Sequence, residues 1–325
     1  MNILLPGVLV NMLTNDKIYV AGHNGLVGSA IVRTLRQYGY KNIVYKSRKE
    51  LDLINESAVA DFFRNEKPNY VFLAAARCGG IKDNINYPVQ FLEDNLKIQN
   101  NIIHHSHAVN VKKLMFLGSA CIYPKECQQP IKEEYLLSGY LEPTNEAYSL
   151  AKIAGIKLCQ AYRKQYGCNF ISVQPSNVYG PKDNYDPDSS HVIAGLLHRF
   201  HNAKKNNQKE VICWGSGLAR REFIFVEDLA DALVFLMKTY DDSDIINVGV
   251  GCDISIKELV AHIVDVVEYE GKIFWDSSKP EGMKQSLLDT TKLKNLSWKP
   301  KTTLDEGLIL AYEYFKLEVK KCIGP

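Results

Sequence analysis

The segment AGHNGLVGSAI, residues 21 to 31, restricts the fold of this chain more than any other feature. It places Gly22, Gly25 and Gly28 three residues apart, directly after an apolar run and at the start of a helical pattern. Glycines at this spacing allow a tight turn, and they let a phosphate approach the backbone at a helix N-terminus. The glycines alone could mark only a tight turn, but the flanking strand and helix favour a dinucleotide phosphate loop.

Strand and helix patterns alternate through the first half of the chain. The apolar runs that predict strands are KIYVAG, NIVYK, YVFLAAA, KLMFLGS and FISVQP. The periodic runs that predict helices cover residues 26 to 39, 86 to 110, 145 to 167, about 190 to 206, 226 to 240 and 255 to 268. This alternation predicts an α/β fold, in which a Rossmann-like doubly wound parallel sheet carries a smaller C-terminal substrate lobe.

The chain is expected to divide into two parts. Residues 15 to 175 form the dinucleotide-binding domain, and residues 211 to 249 return to it. Residues 176 to 210 and 250 to 325 form the substrate-binding lobe, whose loops are rich in Gly, Pro and charged side chains that usually contact ligands.

Charge and cysteine usage argue against several classes of function. The 39 Lys and Arg against 37 Asp and Glu give a formal charge of +2 without a basic run, so no nucleic acid partner is expected. Eight scattered cysteines without a CxxC pair favour reduced thiols in the cytoplasm over disulfides or zinc. His104, His105 and His107 cannot converge from one helix face, so no metal is expected there.

The apolar opening MNILLPGVLVNML has no basic start and contains Pro6. We expect it to be a leader packed on the fold, with a weak signal peptide as the less favoured alternative. No other stretch approaches the roughly 18 to 20 apolar residues that a membrane helix needs.

Tyr148 and Lys152 lie four residues apart in the segment EAYSLAK. The same spacing recurs at residues 45 to 49, across a strand end, and at residues 312 to 316, on a C-terminal helix far from the glycine loop. Only Tyr148 and Lys152 follow a strand end that carries a serine, Ser119. A helix-surface pair beside an ordinary serine is the structural alternative.

These three residue types suit the reduction of a ketone. Hydride delivery leaves an alkoxide, and a tyrosine with an ordinary pKa near 10 is a weak proton donor unless a cation stabilises its phenolate. Lys152 supplies that cation, and Ser119 can donate a second hydrogen bond to the same oxygen. The sequence therefore predicts a site with two donors for an oxyanion.

The type of cofactor is indicated about 20 residues after the glycine loop, where NAD enzymes usually carry an acid. Here the segment YKSRKE places Lys46 and Arg48, and cations suit the additional 2′-phosphate of NADP. A solvated charge cluster is the alternative. At the end of the third strand, small residues such as Ala74 would let the cofactor lie against the backbone, although they are also ordinary in sheet packing.

The glycine loop, Ser119, Tyr148 and Lys152 together resemble the extended short-chain dehydrogenases/reductases. The segments LGSACIYPK, EPTNEAYSLAKIAGIKL, NVYGPKDNYDP, SHVIAGLL and WGSGLARREFIFVEDLA resemble one branch of that family. That branch epimerises GDP-4-keto-6-deoxy-D-mannose at C3 and C5 and then reduces C4 with NADPH. The resemblance covers residues 17 to 320 and implies the same NADP(H)-dependent bifunctional reaction, with another nucleotide-sugar epimerase or reductase as the alternative.

The resemblance also implies roles for further residues. Cys121 would be the base and His191 the acid of the epimerisation; without the resemblance, each is more often structural. The residues implied to contact the cofactor are Gly22, Asn24, Gly25, Leu26, Val27, Gly28, Lys46, Arg48, Ala74, Lys152, Pro175, Val178 and His191. The residues implied to contact the GDP-sugar are Asn177, Arg199, Trp214, Arg221 and Glu281.

Departures from the family pattern bear on the cofactor. Asn24 stands where the family usually has an arginine, and Lys46 where another arginine is common, which weakens the expected preference for NADPH.

A 4,6-dehydratase would carry an acidic pair where this chain has Ser119-Ala120-Cys121, and a 4-epimerase would favour an acid after the second strand. A non-catalytic dinucleotide sensor would have a damaged Ser/Tyr/Lys set, whereas the set is intact in this chain.

Helices 86 to 110 and 145 to 167 resemble the pair that forms the family's homodimer.

Overall fold

The structure is a computed structural model that describes residues 12–187, 189–279 and 282–323. Most of the predicted apolar leader lies outside the described residues. At its end, Met12 is buried in the core, and its carbonyl accepts a hydrogen bond from the Tyr40 hydroxyl at 3.3 Å. Among the described residues, none of the helices is both long and apolar enough to span a membrane.

Six parallel strands form the main sheet. In the described part of the chain the strands are β1 Ile18–Ala21, β2 Ile43–Val44, β3 Tyr70–Leu73, β4 Lys113–Leu117, β5 Phe170–Pro175, β6 Asn177–Tyr179, β7 Glu210–Trp214, β8 Arg220–Arg221, β9 Phe223–Phe225, β10 Ile246–Val248, β11 Ile254–Ser255, β12 Lys272–Asp276 and β13 Gln285–Ser286. The order in the main sheet is β10-β5-β4-β3-β1-β2. The chain runs outward from β1 to β2 and then crosses back to β3, so a ligand crevice is expected at the carboxyl ends of β1 and β3. The predicted Rossmann-like fold is confirmed.

Helices cover both faces of the sheet. They are α1 Leu26–Gln37, α2 Glu56–Glu66, α3 Ile81–Asn86, α4 Pro88–Ala108, α5 Glu146–Tyr166, α6 Val192–Lys205, α7 Val226–Thr239, α8 Ile256–Val267, α9 Thr291–Asn295 and α10 Leu304–Ile323. One face buries α1 and α7 side by side, and the other buries α4 against α2 and α5. Packing on two faces explains why β1, β3, β4, β5 and β10 are buried at every position rather than at alternate ones.

Two elements of the first half differ from the sequence-based expectation. Helix α2 was not predicted; it begins where the Asn55 side chain accepts a hydrogen bond from the Ala58 N–H. The long helix predicted from residue 86 begins at Pro88, because a short helix, α3, ends just before it. Proline is compatible with the first turn of a helix but not with the interior of one that continues from α3.

The remaining strands lie outside the main sheet, in sheets of two or three strands. Strand β7 pairs with β12 in a separate two-stranded sheet, rather than returning to the main sheet as predicted for residues 211 to 249. Within that range, α7 and β10 do return, with β10 beside β5. The division of the chain into two lobes stays a prediction.

Glu222 connects several segments that lie outside the main sheet. It lies between β8 and β9, is fully buried, and its carboxylate accepts hydrogen bonds from the backbone N–H groups of Gly251 (2.6 Å) and Leu288 (3.0 Å). Burial raises the pKa of this carboxyl group to about 7, although the backbone N–H groups oppose the rise. The Glu222 carbonyl also accepts from the Asn177 side chain at 2.9 Å, so the same residue supports a predicted substrate contact.

Candidate active site

The glycine loop leaves no room for side chains at two of its three glycines. Gly22 has φ +88, and a Cβ there would lie 2.8 Å from the Ala75 backbone, which follows β3. A Cβ on Gly28 would lie 2.1 Å from the Gly22 carbonyl oxygen. Gly25 is the N-cap of α1, and its N–H donates to the Gly22 carbonyl at 3.0 Å. The loop is therefore a backbone cradle at a helix N-terminus, which fits a dinucleotide pyrophosphate.

The cations that follow β2 lie beside this cradle. The ring of His23, in the glycine loop, stacks on Tyr45 with 4.4 Å between centroids, and Tyr45 directly precedes Lys46. Lys46, Arg48 and Asn24 are all exposed, as a site for a 2′-phosphate requires. Their role in contacting the cofactor stays a prediction.

Lys152 is fixed under the end of β4. It is only 4% exposed, and its ammonium donates a hydrogen bond to the Leu117 carbonyl at 2.8 Å. The same nitrogen lies 5.6 Å from the centroid of the Tyr148 ring, and burial lowers its pKa. Ser119 lies two residues beyond Leu117, and its backbone N–H donates to the buried side chain of Gln174 at 3.0 Å. Lys152 and Ser119 thus both lie at the end of β4, and their catalytic roles stay a prediction.

Tyr148 contacts a residue that sequence reasoning missed. The hydroxyl lies 3.4 Å from the thiol sulfur of Cys78, which is in the loop after β3. Burial, followed by the charges that Cys78 and Cys121 could carry, raises the pKa of Tyr148 well above its ordinary value. The one signal in the sequence was position, since Cys78 comes shortly after the carboxyl end of a predicted parallel strand.

Cys121 belongs to the same cluster. It sits in a single 3₁₀ turn, Ala120–Ile122, where its N–H donates to the Ser119 hydroxyl oxygen at 3.4 Å. Burial raises the pKa of its thiol, and hydrogen bonds from Ser119 and Ser149 together with the charge of Lys152 oppose that rise. The resting residue is therefore a thiol with nearby groups that favour its ionisation.

His191 is connected to this region through the backbone that precedes it. It is the N-cap of α6, and the preceding Ser189 carbonyl accepts a hydrogen bond from the Gly80 N–H at 3.0 Å. Gly80 is only two residues beyond Cys78, so the backbone before His191 is tied to the loop that contacts Tyr148. Desolvation lowers the pKa of the imidazole, which favours its neutral form.

The residues predicted to contact the substrate lie mostly on elements outside the main sheet. Arg199 on α6 donates to the Ile212 carbonyl at 2.9 Å, which brings it close to Trp214 at the end of β7. Trp214 is 53% exposed, and Arg221 lies on β8. Pro175 ends β5 and Val178 lies on β6, close to Asn177. Glu281 lies outside the described residues.

In the part of the chain that the structure describes, no three His, Cys, Asp or Glu side chains are grouped as a metal ion would require.

Comparisons with known proteins point to one family. Residues 18–249 match the family described as NAD dependent epimerase/dehydratase family. GDP-L-fucose synthase 1 of Arabidopsis thaliana is 52% identical over 299 residues, which are 92% of this chain and 93% of that protein.

Two solved structures share the fold over nearly the full length. A GDP-L-fucose synthetase from Naegleria fowleri, solved bound to NADP, has a TM-score of 0.89 at 27% identity and covers 97% of this chain and 98% of its own. A GDP-6-OMe-4-keto-L-xylo-heptose reductase from C. jejuni has a TM-score of 0.89 at 40% identity and covers 94% of this chain and 99% of its own.

Proposed function

Because the chain belongs to the NAD dependent epimerase/dehydratase family, we propose that it converts GDP-4-keto-6-deoxy-D-mannose to GDP-L-fucose with NADPH. The reaction consists of epimerisation at C3 and C5 followed by reduction of the C4 ketone. The observation that carries the proposal is the cluster of Ser119, Cys121, Tyr148 and Lys152 at the end of β4. The similarity to GDP-L-fucose synthase over 92% of the chain supports the same substrate.

NADP(H) fits the residues present. The backbone at Gly22, Gly25 and Gly28 would hold the pyrophosphate, and Lys46 and Arg48 would contact the 2′-phosphate. When bound, NADPH supplies the hydride that reduces C4. The buried Lys152 holds a positive charge near the Tyr148 ring, which favours loss of the tyrosine proton to the alkoxide oxygen. The Ser119 hydroxyl donates a second hydrogen bond to that oxygen.

Epimerisation uses the acidity of carbons that flank a ketone. Loss of a proton from C3 or C5 gives an enolate whose charge lies on the C4 oxygen, where Ser119 and Tyr148 stabilise it. Cys121, as a thiolate, takes the proton from one face of the sugar. His191, when protonated, returns a proton from the other face, so the configuration inverts.

The assembly and the location are also proposed. A homodimer forms through α4 and α5, two helices of 21 residues each that pack side by side on one face of the sheet. The protein acts in the cytoplasm; seven cysteines are free in the described part of the chain, which suits a reducing compartment.

The test is to incubate the protein with NADPH and GDP-4-keto-6-deoxy-D-mannose in D₂O and to identify the sugar by NMR. We expect GDP-L-fucose with deuterium at C3 and C5. Tyr148→Phe keeps the ring but removes the proton donor, so reduction should fall by roughly 10²-fold or more while NADPH binding persists. Turnover of Tyr148→Phe at the wild-type rate would show that this tyrosine is not the proton donor.

A related ketosugar is the alternative substrate, as the similarity to the heptose reductase indicates. A reduced product without deuterium at C3 and C5, or no turnover of the deoxymannose substrate, would favour that alternative.

A further inference from the structure

We propose that the loop of residues 77–80 positions the proton donor, with the thiol of Cys78 fixing the direction of the Tyr148 hydroxyl. This inference rests on the proposed function, because it assigns a role within that reaction. Cys78 is a positioning residue here, since it acts through Tyr148. The contact that motivates it is the 3.4 Å separation of the Cys78 sulfur and the Tyr148 hydroxyl oxygen.

The loop is held rigidly enough to serve this purpose. Asn95 on α4 is 2% exposed, and its side chain accepts from the Arg77 N–H at 2.8 Å and donates to the Arg77 carbonyl at 3.0 Å. Arg77 also forms an ion pair with Asp94 at 3.1 Å. One buried amide therefore fixes both backbone polar groups of the residue next to Cys78.

The tyrosine ring is held from the same side. Phe91, one turn before Asn95 on α4, packs edge-on against the Tyr148 ring at 6.2 Å between centroids. Packing restricts the ring but leaves the hydroxyl free to rotate about its C–O bond, so an acceptor is needed to set the direction of the proton. The Cys78 sulfur lies where it can accept that proton before the ketone binds.

A thiol suits this position because it is a weak acceptor. A ketone oxygen, or the alkoxide that forms from it, is a stronger acceptor and takes over the tyrosine proton when the sugar binds. The hydroxyl is then held in the site without a strong competitor for the substrate. An oxygen at the same place would orient the proton but would compete more strongly with the ketone.

The first experiment compares the variants in steady-state turnover of the ketosugar at saturating NADPH. Cys78→Ala should slow NADPH oxidation by about 5- to 10-fold with little change in the KM for the sugar, because the proton donor loses its orientation but not its ring. Cys78→Ser should restore the rate to within about 3-fold while raising that KM. Cys252→Ala removes another exposed thiol and should behave as wild type. A wild-type rate for Cys78→Ala, or a Cys78→Ser variant no faster than Cys78→Ala, would overturn the proposal.

The second experiment needs no sugar, so it separates this inference from the proposed function. Iodoacetamide alkylation of Cys78 is followed by peptide mass spectrometry, with Cys252 of the same sample as the reference thiol. In Tyr148→Phe, Cys78 should react several-fold more slowly, because its thiolate loses the hydroxyl that donates to it. An unchanged or faster rate would show that the two groups do not interact. Absence of GDP-ketosugar turnover in the wild type would instead contradict the proposed function.

Discussion

Cys121 is the proposed base of the epimerisation, and its buried environment opposes the ionisation that a base requires. A base must be able to lose its proton, and burial raises the pKa of this thiol, whereas Ser119, Ser149 and Lys152 act in the opposite direction. The thiolate is therefore the less populated form at rest, and its neighbours set how readily it forms. This arrangement lets a reactive group stay protonated until the substrate is in place.

Replacement of Cys121 by serine tests its role as the base. A hydroxyl has a far higher pKa than a thiol, so Cys121→Ser should lose most of the deuterium incorporation at C3 and C5 during turnover in D₂O. Cofactor binding should persist, and reduction of the un-epimerised ketone can continue. The readout is NMR of the sugar product. Deuterium at both carbons at the wild-type rate would assign the base to another residue.

Among the individual site residues, the sequence predicted those whose positions depend on local spacing along the chain. Tyr148 and Lys152 share a helix face because they are four residues apart, and Ser119 was placed by the end of its strand. Cys78 was not predicted, because its approach to Tyr148 depends on the contact of Asn95 with Arg77, which spans 18 residues of sequence. Long-range contacts of this kind leave no local pattern.

The glycine loop is the element proposed to hold the cofactor. Gly28→Ala should abolish NADPH binding and lower the melting temperature, because its Cβ would overlap the Gly22 carbonyl oxygen at 2.1 Å. Gly25→Ala is the matched control for the melting temperature, since its Cβ would meet the same oxygen at an ordinary 3.5 Å. The measurements are NADPH fluorescence titration for Gly28→Ala and thermal melting for both variants. Equal losses of melting temperature in the two variants would contradict a role for backbone crowding at Gly28.

The segment after β2 should set the choice between NADPH and NADH. We expect NADPH to be preferred, and replacement of both Lys46 and Arg48 by Ala should remove about 1 to 3 kcal/mol of that preference through lost phosphate contacts. The measurement is kcat/KM with each cofactor. Equal values for the two cofactors in the wild type would show that these cations do not contact the phosphate. The comparison is informative because Asn24 stands where the family usually has an arginine.

The bounds of helices with strong hydrophobic periodicity were predicted closely. The partners of strands that depend on long-range pairing were not. Helix α5 was expected at residues 145 to 167 and covers Glu146–Tyr166, where Gly167 in a left-handed conformation ends it. Strand β7 has an apolar pattern that suits either sheet, and its partner β12 comes from far along the chain. Pattern alone therefore could not tell which sheet it joins.

Across the whole molecule, Glu222 should make stability depend on pH. Between the ordinary carboxyl pKa of 4.5 and about 7, the folded protein keeps a proton that the unfolded chain has released. The contribution of Glu222 to the free energy of unfolding should therefore fall as pH rises through this window, by about 1 to 3 kcal/mol, and level off above it.

Glu222→Gln tests this dependence. The amide cannot ionise, so the slope between pH 4.5 and about 7 should flatten, although overall stability should drop because the new NH₂ group faces backbone N–H donors. Glu126→Gln, at an exposed position, is the control and should keep the wild-type slope. The measurement is denaturant unfolding at several pH values. A wild-type slope in Glu222→Gln would assign the proton uptake to other groups.

Because β10 is an edge strand that comes late in the sequence, its partner β5 stays unpaired on one side during much of translation. A ribosome that has synthesised the chain as far as α6 has completed every strand of the main sheet except β10, and α7 is also missing from the face that it shares with α1. The outer edge of β5 then carries unpaired backbone groups that can capture a strand from a neighbouring nascent chain. The last third of the sequence thus protects the cofactor domain from aggregation, and translation that stops between α6 and β10 should yield insoluble protein rather than half of an enzyme.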